Sequence, residues 1–312
     1  MYKGFLKILF IGSIFLCAII YFCCNRSFAE SGEIGRNGFI IEENWDLGPP
    51  PAGFPACQGT SWHGWKPKEY DCQWGRESEL SIHNSFTPPR SLHQVRSAGE
   101  HGTMDIAYIL PSTQTRVHIR MYVYFGASFQ NAHSYAGEEE LIHFIFFNTA
   151  VAGGNFGVDI YNYTDYQPLQ WPPVCETGSG LFFAFHSYYN TPNGQKKQDG
   201  YGPIEPRNCW NIKKHLEEWH CYEFMWDLRY HKVGMWVDGV QIVDRMMYTS
   251  NHSSINKIII SGWNSCGVCV SDMHDFYIDN IVMSDRYIGP LPSTIKRTSP
   301  ASPNNLRIIA EE

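Results

Sequence analysis

The chain has 312 residues and a net charge of −7 at pH 7, with 18% charged and 15% aromatic residues. A protein that holds nucleic acid through bulk charge is normally basic, so the acidic balance argues against a nucleic-acid partner of this kind. Many aromatic and few charged residues are typical of β-strands and of surfaces that contact sugars, and they disfavour a helical bundle or a disordered chain. The composition therefore predicts an all-β protein.

Residues 1–29 are predicted to be a signal peptide. Lys3 and Lys7 give a positive start, residues 5–24 are almost wholly apolar, and Ser27-Phe28-Ala29 matches the small-x-small pattern of a signal-peptidase site. Cleavage after Ala29 implies a secreted, periplasmic or cell-surface protein. The alternative is an uncleaved anchor, because about 20 apolar residues also span a bilayer. A membrane is expected as a partner only in that case.

Short strand patterns bounded by Gly, Pro, Asn or Asp recur through the mature region. They cover residues 116–125, 139–148, 156–163, 181–189, 220–228, 233–237, 240–244, 257–261 and 276–283. Only residues 211–219 allow a short helix, since no stretch sustains a 3.6-residue period. We predict one all-β sandwich of two antiparallel sheets over residues 30–289, followed by a disordered tail rich in Pro and Ser over residues 290–312.

The strand at 116–125 alternates between apolar and polar residues with a period of two. Its apolar side, which we expect to face the core, is Val117, Ile119, Met121, Val123 and Phe125. Its other side is Arg116, His118, Arg120, Tyr122 and Tyr124. Because side chains alternate between the two faces of a sheet, this second side is predicted to be accessible and to line a concave groove that contacts a saccharide. The alternative is that a long loop covers it, so that these residues form an internal hydrogen-bond network.

Two further residues are expected to join this groove. In the strand at 139–148, the more apolar side is Ile142, Phe144 and Phe146. His143 is placed on the other side, together with Leu141 and Ile145. Trp236 lies in a hairpin whose turn is Asp238-Gly239, a pair that favours a type I′ turn because both positions need a positive φ. Tyr and Trp offer flat surfaces to sugars and Arg offers a planar fork to a carboxylate, so an acidic sugar is the expected ligand.

Seven cysteines follow the predicted cleavage site, namely Cys57, Cys72, Cys175, Cys209, Cys221, Cys266 and Cys269. In an oxidising compartment they are expected to pair, with Cys57–Cys72 and Cys175–Cys209 as first candidates, although spacing does not fix the connectivity. The spacing of Cys266 and Cys269 fits a redox motif or half of a zinc site. A short-loop disulfide or two buried thiols is the alternative, since no second pair accompanies them.

Three stretches resemble the concanavalin A-like jelly rolls. They are WHCYE at 219–223, the hairpin VGMWVDGVQIV at 233–243, and the closing strand YIDNIVMS at 277–284 with YIG at 287–289. The likeness covers residues 38–289 by architecture. This family includes laminin-G-like lectin modules, glucanases and jelly-roll polysaccharide lyases, so the resemblance implies a jelly-roll sandwich and a polysaccharide partner.

Two stretches resemble motifs of the alginate lyases of that fold. Residues 141–143 (LIH) keep the His of a Q-I-H motif without its Gln, and residues 230–236 (YHKVGMW) match Y-x-K-x-G-x-Y with Trp at the last position. Elimination from a uronate needs a group that neutralises the carboxylate, a base and an acid. The candidates are Arg116 or Arg120, His118 or His143, and Tyr122 or Tyr124. We take His143, Tyr122, Arg120 and His118 as catalytic candidates, and Arg116, Tyr124 and Trp236 as substrate-binding candidates.

The same resemblance implies one structural Ca²⁺ ion. Many of these jelly rolls bind calcium between an acidic residue near the first strand and an Asp on the last strand, which corresponds here to Glu42 or Glu43 and to Asp279. Carboxylate oxygens suit such a hard cation. The alternative for Glu42 and Glu43 is that they are solvated surface acids.

Three functions remain open from the sequence. The first is an exported protein that binds an acidic, plant or microbial polysaccharide. The second is a polysaccharide lyase that cleaves a uronate polymer by β-elimination. The third is a structural or adhesive surface protein without catalysis.

Overall fold

The computed structural model describes residues 39–45, 65–67, 77–81, 84–96, 106–131, 140–149, 155–166, 178–190, 196–199, 210–246, 254–263 and 274–292. Within these ranges the chain forms fifteen β-strands and two 3-10 helices. All of these strands lie in one compact unit, Gly38–Pro290. Of the second unit, the structure describes Leu291 and Pro292, which carry no regular element.

The strands are numbered in chain order. They are β1 (Phe39–Glu43), β2 (Trp65–Pro67), β3 (Glu77–Ser81), β4 (Ser91–Arg96), β5 (Ile106–Gln114), β6 (Arg116–Phe125), β7 (Glu140–Thr149), β8 (Asn155–Tyr166), β9 (Gly178–Asn190), β10 (Lys196–Asp199), β11 (Trp219–Asp227), β12 (Lys232–Val237), β13 (Val240–Met246), β14 (Ile255–Trp263) and β15 (His274–Ser284). The 3-10 helices are Ala127–Asn131 and Ile212–Lys214.

The strands form two antiparallel sheets. Sheet A has the order β13-β12-β11-β6-β15-β4-β3, and β1 pairs with the end of β15 that β4 leaves free. Sheet B has the order β10-β9-β8-β7-β14-β5-β2. The all-β sandwich predicted from the sequence is confirmed.

An aromatic core joins the two sheets. Phe183 of sheet B lies 5.4 Å from Phe224 of sheet A between ring centroids, and Phe147 lies 4.5 Å from Trp226. Such pairs add about 0.5–1.5 kcal/mol each beyond the burial of their apolar area. The apolar side of β6 faces this core as predicted, and its five residues are fully buried.

The predicted hairpin turn is confirmed. Asp238 and Gly239 join β12 to β13 with φ values of 50° and 84°. Asp238 also ties the turn to the neighbouring strand, because its Oδ1 accepts the backbone N–H of Cys221 at 2.9 Å and its Oδ2 lies 2.8 Å from Nδ1 of His220. A side chain at Gly239 would be strained at this φ, which explains the glycine.

The structure differs from the sequence prediction in two respects. Strands β1 to β5 and β10 were not assigned from the sequence; β3 is polar except for Leu80, and β5 contains Pro111, which weakens a strand pattern. In β7 the register shifts between His143 and Ile145. Ile145 therefore joins Phe144 and Phe147 in the core, and the strict alternation predicted for this strand is wrong.

The region expected to allow a short helix contains the 3-10 helix Ile212–Lys214, capped by Asn211, whose side chain accepts the N–H of Lys213 at 3.2 Å. In the described part of the chain, no helix has the length and apolar character needed to cross a membrane. The predicted signal peptide lies outside the described residues.

Candidate functional site

One face of sheet A carries the residues that the sequence placed in a groove. Side chains alternate along each strand, so the face turned away from the core collects every second residue of β6, β11 and β15. The β6 residues Arg116, His118, Arg120, Tyr122 and Tyr124 lie opposite Asp227, Met225, Glu223, Cys221 and Trp219 of β11. We call this the outer face of sheet A.

Residues 84–90 cover the middle of the outer face. Phe86 stacks on Tyr122, with ring centroids 3.6 Å apart and planes inclined by 12°. Thr87 donates its backbone N–H and its hydroxyl to Oδ2 of Asp279 at 2.7 and 3.1 Å. This segment is far from β6 in sequence, and its packing removes the middle of the face from solvent.

Tyr122 is buried beneath this segment, and Arg120 is buried as well. Arg120 donates from Nη2 to Oδ1 of Asn280 at 2.6 Å, and its guanidinium lies 5.5 Å from the centroid of the Tyr122 ring. The sequence predicted that this part of β6 is accessible, and the structure corrects that expectation. As placed, neither side chain reaches a polymer in solvent, and their catalytic roles stay a prediction.

His118 is also buried and belongs to a polar cluster with Glu223. Nδ1 of His118 lies 2.8 Å from Oε1 of Glu223, and Nη2 of Arg116 lies 3.2 Å from Nε2 of His118. For all these contacts to be hydrogen bonds, Nδ1 must carry the hydrogen and Nε2 must accept. Sequence reasoning missed Glu223, although its position in the β11 alternation places it on the same face as the predicted residues.

Glu223 also binds the chain that follows β15. Its Oε1 accepts the N–H of Ile288 at 2.9 Å, and its Oε2 accepts the N–H of Gly289 at 2.8 Å. Residues 285–290 therefore lie against the outer face of sheet A. Carboxylates that accept several backbone N–H groups make strong, charge-assisted hydrogen bonds.

An exposed aromatic pair lies beside this cluster. Trp236 is half-buried, and its ring atoms would come within 2.9–3.0 Å of a Cβ atom added at Gly234, so the ring lies directly over that glycine. The Tyr287 ring is 5.3 Å from that of Trp236 and is 42% exposed. Trp236 also lies 5.6 Å from the His118 ring, as expected from its predicted place beside β6.

Two partly exposed arginines meet at Asp227, and Arg116 connects them to the aromatic pair through His118. Arg116 is 38% exposed and lies 3.7 Å from Oδ2 of Asp227. Arg229, which is 49% exposed, binds the same carboxylate through Nε and Nη2 at 3.0 and 2.7 Å. Burial alone would raise the pKa of Asp227, but the hydrogen bonds and charge of Arg229, with help from Arg116, hold that pKa below its ordinary value. We call Arg116, Arg229, Trp236 and Tyr287 the Trp236 surface.

Tyr124 lies at the opposite end of β6 from the Trp236 surface. It is nearly buried against Trp219 and Tyr277, at centroid distances of 5.7 and 5.8 Å. Its pKa is raised by burial and by the negative charges of Glu217 and Asp275. Its predicted role as a substrate-binding residue beside Arg116 would require a ligand that spans the covered middle of the face.

His143 does not share this face. It lies on β7 in sheet B, whereas β6 lies in sheet A, so the expectation that it joins the β6 residues is wrong. The chain crosses between sheets after β6, and sequential strands in a sandwich need not be neighbours. In register, His143 lies opposite Asp159 of β8. Its side chain is outside the described residues.

Sheet B carries a buried ionisable pair that sequence reasoning missed. Nδ1 of His186 lies 2.6 Å from Oδ2 of Asp159, and both side chains are fully buried. The signal available for it was a charged residue, Asp159, between the apolar Val158 and Ile160 of β8. A buried charge needs such a partner, so the pair has a structural explanation.

The two predicted calcium ligands have different register partners, and the calcium site stays a prediction. Glu43 pairs in register with Ile281, a core residue, whereas Asp279 pairs with Tyr122 on the outer face. Glu43 accepts the N–H of Trp45 at 2.6 Å. Asp279 accepts from Thr87 and from the N–H of Asn280 at 2.6 Å. The described residues include no group of three or more His, Cys, Asp or Glu arranged to hold a metal ion.

Cys221 is a buried free thiol, and burial raises its pKa to about 12. The cysteines proposed to pair, Cys57 with Cys72 and Cys175 with Cys209, lie outside the described residues, as do Cys266 and Cys269. The pairing therefore stays a prediction.

No protein-family model matches the sequence, and no curated protein matches it. Among solved structures, alginate lyase Aly36B is similar over 80% of this chain and 98% of its own length, at 10% identity and a TM-score of 0.44. Alginate lyase vAL-1 from Chlorella virus is similar over 68% of this chain and 93% of its own, at 10% identity and a TM-score of 0.41. A structure on the cell entry of botulinum neurotoxin type C, which depends on two ganglioside molecules, is similar over 80% of this chain and 48% of its own, at 8% identity and a TM-score of 0.41. Likenesses this weak carry no inference about the activity of this chain.

Proposed function

We propose that this chain is an exported carbohydrate-binding protein of the concanavalin A-like jelly-roll type, and that it holds an acidic saccharide on the Trp236 surface. The observation that supports this function is that Trp236 and Tyr287 lie side by side, and that the partly exposed guanidinium of Arg116 contacts His118, whose ring lies beside Trp236. Aromatic rings offer flat apolar area to the CH groups of a sugar ring at low entropic cost. Trp236 and Tyr287 are already partly exposed, so a ligand can contact their rings without a change in the fold.

An acidic sugar fits the cationic side of the surface. Arg229 uses Nε and Nη2 for Asp227, and a guanidinium has five N–H donors, so donors remain for a ligand carboxylate. Arg116 lies beside the same carboxylate and keeps an exposed fraction of 38%. A planar fork of donors recognises a carboxylate in two places at once, which a lysine cannot do. The net negative charge of the chain is therefore compatible with a local site for an anion.

Binding without cleavage is preferred to a lyase activity. A base and an acid must reach the sugar to eliminate across its C4–C5 bond. His118, Arg120 and Tyr122 are buried, and His143 lies in the other sheet. The accessible residues of the Trp236 surface are aromatic and cationic, which suits recognition.

The proposal is tested by affinity electrophoresis and calorimetry of the mature protein with polygalacturonate, alginate and a neutral glucan. The expected result is retention by an acidic polymer, with affinity about tenfold lower for Trp236→Ala and for Arg116→Ala, since central aromatic and Arg residues dominate binding surfaces. Lys214→Ala, an exposed cation on the 3-10 helix, is the control and should bind as the wild type does. Unchanged binding by Trp236→Ala would refute the site.

The same incubations separate the other two functions. Elimination from a uronate creates a conjugated double bond, so a steady rise in ultraviolet absorbance would establish a lyase. A protein that retains none of the polymers would be consistent with a structural or adhesive role and would overturn the binding proposal.

A further inference from the structure

Residues 285–290, here called the strap, leave β15 and lie on the outer face of sheet A. Two consecutive backbone N–H groups of the strap, from Ile288 and Gly289, bind the two carboxylate oxygens of Glu223. The hydroxyl of Tyr287 is 3.4 Å from the carbonyl oxygen of Gly239 in the β12–β13 turn. The strap thus has one buried polar attachment at Glu223 and one aromatic side chain on the Trp236 surface.

We propose that Glu223 is a positioning residue for the saccharide site: by holding the strap, its carboxylate keeps Tyr287 beside Trp236. This inference rests on the proposed binding function and extends it to a residue that no ligand touches. Glu223 lies beneath the strap and is buried, so it acts on the ligand through Tyr287.

The chemistry of the attachment favours a carboxylate over an amide. Oε1 of Glu223 contacts Nδ1 of His118 and accepts the N–H of Ile288, and Oε2 accepts the N–H of Gly289. Both carboxylate oxygens are therefore acceptors. A glutamine at this position has one acceptor oxygen, and its NH₂ group would face a donor N–H. Glu223→Gln therefore loses one strap hydrogen bond and places two donors against each other, while the side chain keeps its size.

The backbone of the strap couples this attachment to Tyr287. Gly289 has a φ of 74°, which favours glycine, and a Cβ atom there would lie 3.3 Å from the Tyr287 ring. The Tyr287 ring and the two N–H groups that bind Glu223, those of Ile288 and Gly289, thus belong to three consecutive residues. When the hydrogen bonds from Ile288 and Gly289 to Glu223 break, the backbone no longer holds the Tyr287 ring beside Trp236.

Release of the strap is expected to be local. Asp285 and Arg286 are exposed and contact each other at 3.6 Å, and Tyr287 is partly exposed. Segments with few buried contacts open at a lower free energy than the whole domain. A variant at Glu223 can therefore change binding while the sandwich remains folded.

The first experiment is a double-mutant cycle on saccharide affinity. Glu223→Gln and Tyr287→Ala are each expected to weaken binding of the acidic polymer about tenfold, and the double variant about tenfold as well, because both act through the same ring. A general structural effect of Glu223→Gln would multiply with that of Tyr287→Ala, giving about a hundredfold loss, and would overturn the positioning role. Glu218→Gln, an exposed carboxylate just before β11, is the matched control and should bind as the wild type does.

The second experiment needs no saccharide affinity in the variant. We expect trypsin to cleave after Arg286 when the strap is released, and mass spectrometry identifies this cut by the new C-terminus at Arg286, apart from cuts at Lys296, Arg297 and Arg307 in the predicted tail. Cleavage there is expected to be at least about tenfold faster in Glu223→Gln than in the wild type or in Glu218→Gln, while Tyr287→Ala reports the contribution of the ring alone. Equal cleavage rates in Glu223→Gln and wild type would refute the attachment.

The wild type tests the place of Tyr287 in the site even when Glu223→Gln does not fold. Polygalacturonate or alginate that contacts Tyr287 must slow cleavage after Arg286 in the wild-type protein, and cleavage unaffected by a polymer that binds would exclude Tyr287 from the site. If no polymer binds the wild type, the proposed function and the positioning role both fail, while the cleavage rates still decide whether Glu223 holds the strap.

Discussion

Two arginines of the same strand are expected to respond in opposite ways to removal. Arg116 and Arg120 both project from the outer face of β6, but Arg120 is buried beneath the chain and Arg116 is 38% exposed. A sequence pattern alone treats them alike. Replacing each arginine with alanine therefore tests whether its side chain belongs to a covered hydrogen-bond network or to a groove that is open to the ligand.

The expected cost of Arg120→Ala follows from its contacts. The variant loses the 2.6 Å hydrogen bond to Asn280, worth about 1.5–3 kcal/mol when one partner is charged, and the contact with the Tyr122 ring, worth about 0.5–2 kcal/mol. Allowing for partial relaxation, we expect a loss of about 3 kcal/mol. At about 2–4 °C per kcal/mol for a domain of this size, the melting temperature falls by about 6–12 °C.

Arg116→Ala has a smaller expected cost. Its ion pair with Asp227 is partly exposed, and pairs of this kind contribute about 0–1 kcal/mol. We therefore expect its melting temperature to stay within about 4 °C of the wild type, together with weakened saccharide binding. Arg120→Met also removes the buried charge but keeps much of the side-chain volume, so it should lose less stability than Arg120→Ala, which leaves a larger cavity.

Thermal unfolding followed by circular dichroism, with binding measured well below the transition, distinguishes the outcomes. If Arg120→Ala keeps the wild-type melting temperature but loses binding, then Arg120 is accessible to the ligand and the covering by residues 84–90 is wrong. Equal losses of stability in Arg116→Ala and Arg120→Ala would also refute the distinction between them.

Three further outcomes are expected. Gly234→Ala places a Cβ within 2.9–3.0 Å of the Trp236 ring, so it should weaken saccharide binding while changing the free energy of unfolding by no more than about 1 kcal/mol, as urea unfolding would show; full binding would contradict the role of this ring. Asp227→Asn should be less stable than the wild type at pH 6, and the difference should shrink as pH falls through the depressed pKa of Asp227, because its ionised form stabilises the folded state above the unfolded value near ~3.9; a difference independent of pH would refute this. Peptide mapping of protein from its own compartment should find an N-terminus at Glu30, linked Cys57–Cys72 and Cys175–Cys209 fragments, and Cys221 alkylated only after unfolding; free thiols at Cys57 and Cys72 would refute that pairing.

The sequence by itself determined the fold class and which side of β6 faces the core. The alternation along β6 separated its core residues from its polar residues correctly, since a period of two is a local property of an extended chain. The Asp238-Gly239 turn was likewise encoded locally, because few residues tolerate a positive φ. The sequence also proposed that Trp236 joins the outer face of β6, but the pairing of β6, β11 and β12 that brings it beside His118 was seen only in the structure.

Only the tertiary structure decided which of the polar residues meet solvent. Alternation tells which side of a strand a residue occupies, but it does not tell what packs on that side. Phe86 and Thr87, about thirty residues before β6, cover its middle, and the strap covers the region around Glu223. His143 does not lie in the predicted site because the chain crosses to the other sheet after β6. The pairing of distant strands is set by the packing of the whole sandwich.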